Sequence, residues 1–164
     1  MPDNGIDPLT FPGYRLIVEL GSGRNGTVYR ARELETQRLV ALKVYRPEML
    51  RRAGFVSGLD AAVLAARTFR HPAAAAAIGL VEARSGSRLA LVMELVGGEV
   101  LSRALQRNVR FSVVRAMRLA RDLADATAAA HAASLTCGIL HPGHVVISGE
   151  SARMRPSPCL SFTN

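Results

Sequence analysis

From Tyr14 the chain alternates, with Tyr14, Leu16, Val18 and Leu20 apolar on one face and Arg15 and Glu19 charged on the other. That period of two predicts a half-buried strand. A glycine turn follows, and "TVYRARE" (27–33), rich in β-branched and aromatic residues, predicts a second strand. "RLVALKVY" (38–45) predicts a third. Gly58–Arg70 is rich in Ala and Leu and predicts a helix, closed at His71-Pro72 because proline disfavours the helical region in the residue before it. "AIGLVEAR" (77–84) and "RLALVMEL" (88–95) flank Ser85-Gly86-Ser87, the pattern of a β-hairpin. Val100–Gln106 predicts a short helix, and Ser112 is placed to N-cap a long one running to about Ser134. On that helix Val113, Ala116, Met117, Ala120, Leu123, Ala124, Thr127 and His131 share a face, with Arg115, Arg118, Arg121, Asp122 and Asp125 elsewhere. "SLTCGILHPGHVVIS" (134–148) predicts a strand, a Pro-Gly turn and a second strand. Residues 1–13 read as a tail, and 148–164 lose all periodicity and predict an irregular end. The order of elements implies an α+β lobe (14–95) that leads into a helical one (96–147).

Composition narrows the picture. The chain has 164 residues, 49% of them hydrophobic, enough to fill a core of Ala, Leu, Val and Met in the absence of Trp. The longest apolar run, Pro72–Val81, is about half of a membrane span, and no signal peptide is evident, so a cytoplasmic protein without membrane contact is expected. The net charge of +8 comes from arginines spread along the whole length, without a stripe or interleaved aromatics. Nucleic acid is therefore not the expected partner. Cys137 and Cys159 are too few for a disulfide framework.

The chemistry concentrates in "LGSGRNGTVYRA", which carries Gly21, Ser22, Gly23, Gly26 and Val28. Glycine lets the backbone approach a ligand, a property that any tight hairpin also uses. The dinucleotide-binding form of this spacing needs a helix straight after the glycines, whereas Thr27-Val28-Tyr29 argues for a strand. Fifteen residues past Val28 stands Lys43, the single lysine beside 20 arginines. A compact ammonium suits phosphate oxygens as a point charge. The plainer alternative is a strand-edge lysine with its head in solvent.

Gly21-x-Gly23-x-x-Gly26-x-Val28 followed by Val40-Ala41-Leu42-Lys43 resembles the protein kinases, in particular the serine/threonine kinases of bacterial type. "FRHP" (69–72) resembles the end of the family's first helix, and "LALVMELVGGEVL" its fifth strand and hinge. The resemblance implies a kinase-like small lobe, a five-stranded antiparallel sheet plus one helix, followed by the first helices of a truncated large lobe. It implies that Gly21, Ser22, Gly23, Gly26 and Val28 line ATP or another nucleotide. Ala41 would lie above the base and Lys43 would touch the phosphates. Met93, Glu94 and Val96 would form the hinge. It also implies what is missing. The glutamate that pairs with the family's lysine falls on Ala62, with Asp60 the nearest acid. The catalytic His-Arg-Asp falls on Cys137-Gly138-Ile139, so Ile139 stands for the catalytic aspartate. The loop's lysine falls on His141, its metal-binding asparagine on His144, and the nearest echo of Asp-Phe-Gly is Ser161-Phe162-Thr163. Beyond Asp125 only Glu150 is acidic. Phosphoryl transfer needs a proton acceptor and oxygen ligands for Mg²⁺, and these positions supply neither.

The resulting expectation is a truncated pseudokinase with no catalytic residue or metal ligand. It would bind nucleotide weakly or without Mg²⁺ and regulate or scaffold a protein partner that covers the long helix. The alternatives are a divergent active kinase and a remnant or interaction module without ligand. A soft-metal site of Cys137, His141, His144 and Cys159 has a spacing foreign to structural zinc.

Overall fold

The computed structural model describes residues 10–135 and 140–155. The chain divides into two compact units. One holds the residues up to Asp60 with Ile78–Leu95, the other Ala61–Ala77 with Val96 onward.

The first unit is a five-stranded antiparallel sheet. Its strands are β1 (Tyr14–Gly23), β2 (Gly26–Glu33), β3 (Leu39–Tyr45), β4 (Ala77–Glu82) and β5 (Leu89–Glu94), in the spatial order β1-β2-β3-β5-β4. β3 is central and carries "LVALKVY", buried at every position after Leu39. Val40, Leu42 and Val44 point to one side and join Phe11, Ala31, Ala83, Ala90 and Val92 in a core that Tyr14, Leu16, Tyr29 and Val81 edge. This α+β arrangement is the one the hydrophobic pattern predicts.

Three local features depart from the pattern. β1 does not alternate cleanly, because its pairing with β2 slips between Leu16 and Val18 and again between Glu19 and Gly21. Each slip adds a residue to one strand and turns the following side chain to the other face. Val18, expected inward, is therefore 50% exposed beside Ile17. A one-turn helix, α1 (Pro47–Leu50), follows β3, with Pro47 at its start where a missing N–H costs nothing. The next helix, α2 (Phe55–Ala66), begins and ends earlier than Gly58–Arg70. Its buried residues Leu59, Ala62, Val63 and Ala66 follow the spacing of one helical face, and Asp60 is exposed.

In the second unit, β6 (Glu99–Val100), β7 (Val145–Ser148) and β8 (Ser151–Met154) form a small antiparallel sheet. They join α3 (Leu101–Gln106) and α4 (Val113–Ala132). The Ser112 side chain accepts the Arg115 N–H, the cap expected from sequence. A single 3-10 turn, Pro142–His144, precedes β7 in place of a Pro-Gly strand turn.

Two expectations are corrected here. The segment 148–164, expected to be irregular, contributes β8, whose backbone pairs with β7 from Val145↔Met154 to Ser148↔Ser151. Second, the buried face of α4 is turned away from the apolar stripe read in the sequence. Leu119, Ala126 and Ala130 are buried, whereas Val113, Val114 and Met117 are 75%, 60% and 67% exposed. The cause is β8. The carboxylate of Asp122 accepts the Ala152 N–H at 3.0 Å, fixing which side of α4 meets the hairpin. Leu119 then packs with Ala104, Val145, Ile147 and Ala152. A backbone donor that would otherwise be buried unpaired outweighs the pull of a few aliphatic side chains.

Truncating the two kinds of position separates these faces. Leu119→Ala is expected to destabilise the chain by about 2–4 kcal/mol, and Met117→Ala by less than about 0.5 kcal/mol. Urea unfolding of both variants checks the contrast, and comparable losses would restore the sequence-read face.

Candidate functional site

The β1–β2 hairpin closes on a two-residue turn, Arg24-Asn25, with Gly23 opposite Gly26, Ser22 opposite Thr27 and Gly21 opposite Val28. The hydroxyls of Ser22 and Thr27 lie 3.0 Å apart and bond across the strands. The tip is also held from outside. Arg46, the residue after β3, donates its backbone N–H to the Asn25 carbonyl and its Nε to the Gly23 carbonyl, both at 3.1 Å. No motif marks Arg46 in the sequence, and its role emerges only from the register of β2 on β3.

The two inner glycines do different work. A Cβ on Gly26 would come within 2.2 Å of the Val44 carbonyl oxygen, so this position is glycine because β3 passes directly against it. A Cβ on Gly23 would meet nothing within 4 Å. Gly26 is thus explained by the fold, while Gly23 leaves open space beside exposed backbone. That space is what an anion needs to reach main-chain N–H groups.

Register places the other predicted residues. Val28 lies opposite Lys43, which lies opposite Leu91 on β5. One step along, Arg30 lies opposite Ala41, which lies opposite Met93. Directly opposed residues project to the same face of a sheet. Val28, Ala41, Lys43 and Met93 therefore share the face that Val40, Leu42 and Val44 do not use. Ala41 and Met93 are 3% and 1% exposed. Glu94 closes β5 opposite Val40, and Val96 falls in the second unit.

Lys43 is not a strand-edge lysine. It sits on the central strand at 7% exposure, and its ammonium lies 5.8 Å from the centre of the Tyr45 ring. Tyr45 is itself fixed edge-to-face against Phe55, with the ring centres 5.3 Å apart. An ammonium withdrawn from water is retained only beside compensating charge or polarity, and an aromatic face supplies part of that.

The other half of the predicted chemistry lies near the 3-10 turn. His141 accepts the Gly143 N–H on Nδ1 at 3.0 Å, and the His141 and His144 rings are 6.1 Å apart. Ile139 and Cys137 lie outside the described residues, as do Cys159 and Ser161-Phe162-Thr163. Glu150, the last acid of the chain, is at the β7–β8 turn and pairs with Arg118 at 3.2 Å and Arg115 at 3.8 Å. Among the described residues no three His, Cys, Asp or Glu side chains converge to hold a metal ion. Among the same residues no helix is long and apolar enough to cross a membrane.

Residues 14–142 match the protein kinase domain family. The chain is 35% identical over 156 residues to the serine/threonine-protein kinase PkaA of Streptomyces coelicolor, covering 87% of this chain and 28% of that protein. It is 31% identical over 138 residues to the serine/threonine-protein kinase PknA of Mycobacterium tuberculosis, covering 82% of this chain and 32% of that protein. To the serine/threonine-protein kinase pkn3 of Myxococcus xanthus it is 29% identical over 143 residues, covering 87% of this chain and 26% of that protein. The chain thus spans between a quarter and a third of these relatives' lengths.

The unequal glycines yield a direct test. Gly26→Ala is expected to destabilise the first unit by about 2 kcal/mol or more, since a buried backbone clash must be relieved by moving β3. Gly23→Ala is expected to change stability by less than about 0.5 kcal/mol. Thermal unfolding of each variant without ligand measures the difference, and equal effects would contradict the assignment.

Proposed function

The chain belongs to the protein kinase family, and on that premise we propose that it is a nucleotide-binding pseudokinase. In this reading the hairpin backbone at Gly21, Ser22 and Gly23 lies along the phosphates of ATP and Lys43 neutralises them. Val28, Ala41 and Met93 give the base a flat apolar surface, and the backbone at Glu94 supplies its polar edge. The carrying observation is the placement of the sole lysine. It is withdrawn from solvent on the central strand, on the same sheet face as Val28, Ala41 and Met93. The residues fit a nucleotide because they combine an open glycine tip, a point charge and an apolar strip.

They do not fit the transfer step. A kinase removes the proton from its acceptor hydroxyl with a carboxylate and holds Mg²⁺ with carboxylate and amide oxygens. Here the aligned positions carry Ile139 and His144, and no acid follows Glu150. Glu150 serves the fold, tying the β7–β8 turn to Arg115 and Arg118 of α4. That commitment disfavours the alternative of a divergent active kinase using Glu150 as its base. Asp60 is exposed, and Ala62, at the position of the lysine's usual glutamate partner, is 1% exposed and has no charge to offer. Nucleotide binding accordingly needs no divalent ion.

We assign the domain division to the same reading, with a small lobe over 14–95 and the start of a large lobe from residue 96. Its output is a regulatory or scaffolding contact with another protein. The aliphatic group Val113, Val114 and Met117 on α4 supports such a contact, since it is exposed while Leu119, Ala126 and Ala130 of the same helix are buried.

Thermal shift tests the binding. ATP at a hundredfold excess over Kd is expected to add about 2.7 kcal/mol of stability, with EDTA as with Mg²⁺, and Lys43→Ala to remove the gain. A mutant that responds as strongly as the parent, or a response that requires Mg²⁺, would refute the reading.

A further inference from the structure

We propose that the first unit docks an acidic peptide segment of a partner protein on the sheet face opposite its core, at the end of β1 and β2 away from the glycine tip. Three arginines gather there. Tyr29 and Ala31 of β2 pack into the core, so Arg30 and Arg32 project to the other face. Arg15 of β1 lies directly opposite Arg32, which brings their Cβ atoms to about 5 Å on that face. Like charges opposed in this way repel. No carboxylate among the described residues pairs with any of the three. Glu33, the nearest acid along β2, lies opposite Tyr14 and accepts bonds from the Tyr14 and Thr36 hydroxyls. Arg32 uses Nη1 on the Gln37 carbonyl at 3.3 Å, and the Nε of Arg30 is buried with no hydrogen-bond partner among the described residues.

The bulge in β1 adds apolar surface to the same place. Its slip between Leu16 and Val18 sets both Ile17 and Val18 against Arg30, and both are exposed. Leu39, opposite Arg32 on β3, is exposed as well. The patch thus interleaves three guanidiniums with three aliphatic side chains. Forked guanidiniums pair bidentately with carboxylates, and the aliphatic side chains give the apolar residues of a peptide a dry contact. A single-stranded nucleic acid would need aromatic rings on which to stack its bases, and the neighbouring Tyr14 and Tyr29 pack against the core instead. Arg32 lies four residues along β2 from Val28, about 13 Å away, so a peptide held between Arg15 and Arg32 leaves the glycine tip free. This surface gives the scaffolding contact a partner chemistry, and it does not rest on nucleotide binding.

The test titrates the full chain into a short fluorescent peptide that alternates glutamate with leucine, and into its glutamine counterpart, and follows the anisotropy. The glutamate peptide is expected to bind saturably and the glutamine peptide about tenfold more weakly or worse. Arg15→Glu is the decisive variant. It sets a carboxylate opposite Arg32, so it should raise the melting temperature of the chain while weakening the glutamate peptide about tenfold or more. Peptide binding should survive Lys43→Ala, which separates this surface from the nucleotide site. Equal binding of the two peptides, no saturable binding of either, or an Arg15→Glu chain that binds as the parent does would overturn the proposal. So would a lower melting temperature in Arg15→Glu, or a single-stranded oligonucleotide of equal charge that binds more tightly than the glutamate peptide.

Discussion

The structure depends on the double burial of β3. Leu39–Tyr45 is hydrogen-bonded on both sides, to β2 and to β5, and six of its seven residues are buried. A strand in that position has to satisfy two surfaces with alternate residues. Val40, Leu42 and Val44 serve one face as ordinary core. Ala41, Lys43 and Tyr45 serve the other, where a small residue, a cation and an aromatic ring succeed each other. The register that fills the core also fixes where the cation stands, so the site cannot shift without exposing the core. The same strand sets the neighbouring hairpin, because Val44 passes so close to Gly26 that no side chain fits, and Arg46 ties down the tip.

Much of this was legible in the sequence, and the reasons are local. Strands with β-branched residues, the hairpin around Ser85-Gly86-Ser87 and the Ser112 cap each rest on interactions between residues close along the chain. The lysine stood out because every other basic residue is arginine. Less legible were features decided by long-range backbone pairing. The slips in β1 depend on β2, and Val18 gives no sign of them. The buried face of α4 depends on Asp122 meeting Ala152, thirty residues away. β8 is only four residues long, Ser151–Met154, too short for its alternation to announce a strand, and it exists because β7 offers a ladder.

The candidate site shows the same division. Sequence spacing singled out Val28, Ala41, Lys43 and Met93, which share one sheet face, but it gave all three glycines one role. Only the packing shows that Gly26 answers to β3. Arg46 was invisible because it belongs to no motif, and it matters through carbonyl oxygens that the fold has to bring to it. In the second unit the charge balance tells the larger story. Arginines outnumber acids there, and the few carboxylates secure helices and turns rather than chemistry.

The central claim is that this chain holds a nucleotide without acting on it, and phosphorus-31 NMR of ATP mixed with the full chain, with EDTA and then with Mg²⁺, tests it most directly. The account predicts broadened or shifted β- and γ-phosphate signals in both conditions, with the ATP spectrum otherwise unchanged over long incubation. Growth of ADP signals dependent on the intact pocket, or ATP signals that the protein leaves untouched, would contradict it.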